Sequence, residues 1–104
     1  MTLQSWLDAR VPEAPEALRR RIAELVAAHP EWEAMPRQHA LLSASELLMK
    51  DVLAAAPKDR DAAIDLLAGD ACVTYAFEAA ADEPGELDSL ADQAMQRIAK
   101  LADL

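Results

Sequence analysis

Only two glycines, Gly69 and Gly85, and not one asparagine occur in the 104 residues of this chain. Tight hairpins need residues that reach φ > 0, which is what Gly and Asn supply. Threonine is confined to Thr2 and Thr74, and Phe and Tyr occur once each. The β-branched and aromatic side chains that fit a pleated sheet are therefore thin as well. Ala, Leu, Glu, Arg and Gln, which lose little on entering a helix, are plentiful. The chain reads as all-α: one domain over residues 1–104, an up-and-down helical bundle of four main helices plus a short N-terminal helix.

The periodicity places the helices. Thr2 is positioned to cap a short helix over residues 3–10, with Leu3, Trp6 and Leu7, and with Val11 beyond them, on one stripe. Pro12 and Pro15 mark a turn. A second helix runs from about Pro15 to His29, its buried face Leu18, Ile22, Leu25 and Val26. Arg20 and Glu24 stand there as an i, i+4 pair in the less favourable order. Pro30 and Pro36 bracket a connector with room for a single turn, whose Trp32 and Met35 are expected to plug the end of the bundle. A third helix, about Arg37 to Ala56, carries Leu41, Leu42, Ser45, Leu48, Met49, Val52 and Leu53 on a broad face and stops at Pro57. Residues 82–85 form a turn before a fifth helix, about Glu86 to Ala102, with the stripe Leu87, Leu90, Ala94, Met95, Ile98, Leu101 and Ala102.

The fourth helix, about Lys58 to Ala81 with Asp59 as its expected N-cap, differs from the rest. Its middle, AAIDLLAGDACVTYAFEAAA, is apolar nearly all round. Projected at 100° per residue, Leu66, Val73, Phe77 and Ala80 share one side, and Ile64, Ala68, Ala71 and Tyr75 another. A helix apolar on several sides is usually buried on several sides. The pattern predicts that this helix is central to the bundle or lies at a dimer interface through Leu66, Val73 and Phe77. Gly69 within it costs about 1 kcal/mol relative to Ala, a cost that close approach of another backbone would offset. Alanine dominates the 53% hydrophobic content. Ala buries little surface, so two copies sharing a core is one way to reach a stable fold.

Charge and chemistry exclude more than they select. The formal net charge is −9, the wrong sign for gripping a phosphate backbone, and no nucleic-acid partner is expected. No run approaches the roughly 18 apolar residues of a membrane span, so no membrane role is expected either. The single Cys72 makes no internal disulfide. The N-terminus lacks a basic segment followed by an apolar one, and a cytoplasmic location is expected. His29 and His39 have Val26 and Pro36 three residues upstream, where a di-iron bundle needs Glu. No metal site, no cofactor and no catalytic residue is expected, and the balance leans away from an enzyme. The polar residues of note are Asp70, Thr74 and Glu78, at i, i+4 and i+8 of the fourth helix, with Tyr75 and Cys72 beside them. A buried carboxylate must find a partner. The strip is therefore a ligand-binding candidate (Asp70, Thr74, Tyr75, Glu78), set against the plainer reading of a strip that reaches solvent.

The stretch LLAGDACVTYAFEAAAD, residues 66 to 82, resembles a helix of the polyprenyl diphosphate synthases, where a similar Gly-Asp-Ala run leads to Ala-Phe-Glu. The aspartate-rich Asp-Asp-x-x-Asp motif of those enzymes is absent, and no function carries across. The leading expectation is a non-enzymatic interaction or accessory protein that self-associates as a homodimer. One alternative is a small-molecule-binding or enzymatic bundle with an internal pocket near Asp70 and Glu78. The other is an acidic inhibitor of a basic protein surface, resting on the net charge.

Overall fold

A computed structural model describes residues 2–10, 14–55 and 59–102. The described elements are α1 (Leu3–Arg10), α2 (Glu16–Ala28), a 3-10 turn (Pro30–Ala34), α3 (Arg37–Ala54), α4 (Arg60–Ala80) and α5 (Glu86–Ala102), with no strand among them. This is the expected all-α bundle of four main helices and a short leading one. Val11, Pro12, Pro57 and Lys58 lie outside the described residues.

The helix ends follow local chemistry. Thr2 Oγ1 accepts from the Ser5 backbone N–H at 3.0 Å, the expected cap of α1. A further orphan donor, the Leu3 N–H, is taken from 30 residues away by both carboxylate oxygens of Glu33 at 3.0 and 3.1 Å. That contact ties α1 to the 3-10 turn. Asp59 Oδ1 accepts from the Asp61 N–H at 2.9 Å and caps α4. Gly85, at φ +84°, supplies the left-handed residue that turns α4 into α5. In α2, Arg20 pairs with Glu16 at 2.8 Å and not with Glu24. Glu16 precedes Arg20 by one turn, the order that also suits the helix dipole.

Side-chain pairings set the register. Asp51 of α3 and Asp65 of α4 share Arg21 of α2 at 3.2 and 2.7 Å, and Gly69 lies against Leu48 and Met49. Farther along, Ala79 of α4 borders the same hollow as Arg37 and Gln38 of α3. Helices α3 and α4 are therefore antiparallel. Gln38 donates to Glu86 at 3.3 Å and Arg97 to Ser43 Oγ at 3.2 Å, which runs α5 parallel to α3.

Helix α3 carries the most extensive buried face. Gln38, Ala40, Leu41, Leu42, Ala44, Ser45 and Leu48 of α3 are buried, and it touches the 3-10 turn, α4 and α5. On α4 the buried side chains are Ala68, Cys72, Ala76 and Ala80, one every fourth residue, with Gly69 beside them. This narrow stripe of small residues lets the α3 and α4 backbones approach closely and carries the largest helix–helix contact in the fold. Helix α4 contacts α2, α3 and α5, as a central helix does, but Leu66 and Leu67, 49% and 61% exposed, leave one side of it uncovered. Its three neighbours do not enclose it. Apolar residues spread round the helix by its 3.6-residue repeat therefore cannot all be covered.

Trp6 and Trp32, each 5% exposed, close the other end of the core with Leu3 and Leu7. Trp32 stacks on His29 at 4.3 Å between ring centroids, with the planes 11° apart. The Arg10 guanidinium lies 4.3 Å over the Trp6 ring. Trp32 thus acts as the expected plug, with Met35 half-buried against the core.

Candidate functional site

Three regions of the surface are candidates for a site. The first is the polar strip of α4. Asp70, Thr74 and Glu78 are all exposed, and Tyr75 is half-buried on the neighbouring side. Thr74 Oγ1 donates to the Asp70 carbonyl oxygen one turn back at 3.1 Å, a local bond common for a helical threonine. Glu78 lies 3.9 Å from Arg10 of α1, in a pair half open to water. The strip is on the outside of α4, so these carboxylates need no buried partner. Burial pushes the Tyr75 phenol above its ordinary range, with Glu78 and Cys72 adding to the shift. Cys72 faces α3 with no exposed surface, and burial pushes its thiol up to about 12. A thiol held neutral against a packed helix is a small hydrophobe and not a nucleophile. Among the described residues no three His, Cys, Asp or Glu side chains come together as a metal site.

The second region is apolar. Leu53, Leu66, Leu67, Leu87, Met95 and Ile98 are between 44% and 70% exposed. On α5, Leu87, Ile98 and Met95 fall within about 80° of arc, directly beside the buried Leu90, Ala94 and Leu101. The apolar face of α5 is thus wider than the part that α3 and α4 cover. Asp88 and Asp92 border it, and no charged residue lies within it. On α4, Leu66, Val73 and Phe77 form a stripe next to the buried one. Leu66 is 49% exposed, and Val73 and Phe77 are half-buried. The antiparallel register brings the start of α4 level with the end of α5 and the end of α3. Leu66, Ile98 and Leu53 therefore lie toward that end of the bundle, with Met95 at the middle of α5. The spacing of Leu87, Met95 and Ile98 was visible in the sequence, but it read as core because periodicity cannot tell a covered stripe from an uncovered one.

The third region is a hollow of about 280 Å³ at the opposite end, where α1, the 3-10 turn, the start of α3 and the end of α4 meet. Trp6 and Trp32 form part of its wall. Glu33, Asp82 and Glu83 bring carboxylates to it, and Arg37 and Gln38 bring donors. Sequence reasoning missed this site. Its residues come from four separate segments, and the one signal was a pair of large apolar side chains between Pro30 and Pro36.

Comparison with protein-family models, with curated proteins and with solved structures finds no match to this chain.

Proposed function

We propose that this protein is a non-enzymatic interaction module that works as a homodimer, pairing through the apolar face of α4 and α5. The observation that carries the reading is the set of large apolar side chains left in water. Met95 is 70% exposed, Ile98 58% and Leu66 49%. An uncovered apolar patch of this kind marks a contact surface on a soluble domain.

Charge is compatible with pairing. The net charge of −9 disfavours bringing two copies together, but the carboxylates at the face, Asp88 and Asp92 of α5 and Asp70 of α4, are exposed at its edges, where water screens them. A two-fold pairing would set each copy's Ile98 and Met95 against the same residues of the other, the self-complementary arrangement of closed dimers. Expected to be shielded in this way, the face would leave the rest of the acidic surface free to meet a third component.

Sedimentation equilibrium over a wide concentration range tests the reading. A mass that rises from one chain to two and stops there supports it. A single-chain mass up to roughly 1 mM, beyond which the pairing would be worth less than about 4 kcal/mol, rejects it.

A further inference from the structure

We propose that Met95 is an oxidation site through which a hydroperoxide switches off pairing: its sulfoxide keeps the α4–α5 face from closing on a second copy. The preference for Met95 belongs to the folded chain alone, and the effect on pairing rests on the homodimer reading.

Position singles out this methionine. The structure describes the side chains of Met35, Met49 and Met95. Met35 is half-buried and packs on the hydrophobic core. Met49 is half-buried where α3 meets α4, with its Cε 3.0 Å from the place a Cβ on Gly69 would take. Met95 is 70% exposed at the middle of α5, the most exposed large apolar side chain among the described residues. A peroxide must reach a sulfur lone pair to react, and only at Met95 does that sulfur stand in open water. Cys72, the other sulfur, has no exposed surface and stays out of the reaction.

The step balances with the peroxide as oxidant. A lone pair of the Met95 Sδ attacks the outer oxygen of the hydroperoxide. The S–O bond forms as the O–O bond breaks. The proton on the outer oxygen passes through water to the departing oxygen, which leaves as an alcohol, or as water from hydrogen peroxide. Sulfur gives up two electrons and the peroxide takes them. The product is a polar sulfoxide in place of an apolar thioether.

Placement on α5 sets the consequence. Met95 falls within about 80° of arc of Leu87 and Ile98, so a pairing through this face takes its side chain out of water. The nearest charged residues on its flank, Asp88 and Asp92, are carboxylates and offer the sulfoxide oxygen no N–H or O–H. A two-fold dimer doubles the defect, and two unsatisfied acceptors are expected to raise the dissociation constant at least about thirtyfold. A closed dimer shields Met95. The oxidant therefore takes the separated chain, and the sulfoxide then holds it apart.

The test treats dilute protein with limiting hydrogen peroxide, locates the added oxygen (about 16 Da) by peptide mass spectrometry, and follows chain mass by sedimentation equilibrium. Met95 is expected to gain oxygen ahead of Met35 and Met49, and the oxidised wild type to pair at least about thirtyfold more weakly than the untreated one. Reduction by methionine sulfoxide reductases with a dithiol is expected to restore the original constant. Met95→Leu, whatever its own constant, is expected to show the same one before and after peroxide. Oxygen appearing first on Met35 or Met49 overturns the assignment of the site. Sulfoxide at Met95 with pairing unchanged, or pairing lost in Met95→Leu on peroxide treatment, overturns the switch and leaves the homodimer standing. An untreated wild type that never pairs rejects the homodimer and the switch together.

Discussion

Replacing Gly69 by alanine should make this protein more stable. Gly69 is buried in the middle of α4, against α3, where a glycine costs about 0.5–1 kcal/mol relative to alanine. A Cβ built there lies 3.0 Å from the Met49 Cε, 3.5 Å from the Leu48 Cβ and 3.8 Å from the Met49 Cγ. The one tight contact is thus with the far end of a flexible, half-buried side chain, not with the α3 backbone. A methionine methyl moves aside at low cost, while the Leu48 contact is ordinary packing. Subtracting a few tenths for the methionine leaves a net gain of about 0.5 kcal/mol, or a rise in Tm of about 2–4 °C for a domain this size. Urea and thermal unfolding followed by far-UV circular dichroism would measure it. A loss of stability greater than about 0.5 kcal/mol would refute the reasoning, since it would mean that Met49 is pinned or that α3 sits closer than its neighbours at Gly69 indicate. Gly69→Val is the control: its branched side chain cannot be cleared by moving one methyl group, and it should destabilise.

Other substitutions probe the same packing and its electrostatics. Ala76→Leu, placed in the fully buried stripe between α3 and α4, should cost about 1–3 kcal/mol in urea unfolding, while Ala63→Leu on the exposed side should stay within about 0.5 kcal/mol. Asp65→Asn removes the negative charge from the 2.7 Å bond that holds the Arg21 guanidinium above its usual range, leaving a neutral acceptor. It should cost about 1–2 kcal/mol, against less than about 1 kcal/mol for Glu16→Gln in the exposed Arg20 pair. The Cys72 thiol ionises near 9.0 when unfolded and about 12 when folded. Its contribution is whole below pH 9 and is lost as the unfolded chain ionises at higher pH. The loss at pH 10 is about 1.4 kcal/mol, and the difference in pH slope between the wild type and Cys72→Ala measures it. The native thiol should likewise resist Ellman's reagent until the chain unfolds.

The elements of this fold were legible because its punctuation is so sparse. With prolines at 12, 15, 30, 36 and 57 and a glycine at 85, the breaks fall where helices cannot continue, and the Thr2 and Asp59 caps mark two of the starts. The neighbours of each helix were harder to read. Helix α4 looks central because it is apolar all round, yet its small residues are what pack and its leucines are what face water. Hydrophobicity counts Leu66 above Ala76. Close approach of two backbones selects Ala76, because only a small side chain fits between them. The same ambiguity hid the excess width of the α5 stripe. Arg20 choosing Glu16 over Glu24 is a smaller case: both partners stand one turn away, and rotamer direction decides. The polar strip of α4 reached solvent, the plainer of its two readings. The end hollow could not be read at all, since Trp6, Trp32, Gln38 and Asp82 meet only once four segments have docked.

The most direct test of the dimer is native mass spectrometry of the wild type beside Ile98→Asp and Leu66→Asp, each at an exposed position on the proposed face. Twice the 11.3 kDa chain mass for the wild type, and a single chain for both variants with unchanged helicity, is the predicted result. A wild-type monomer, or a dimer that survives both added charges, would contradict the assignment of that face to a second copy.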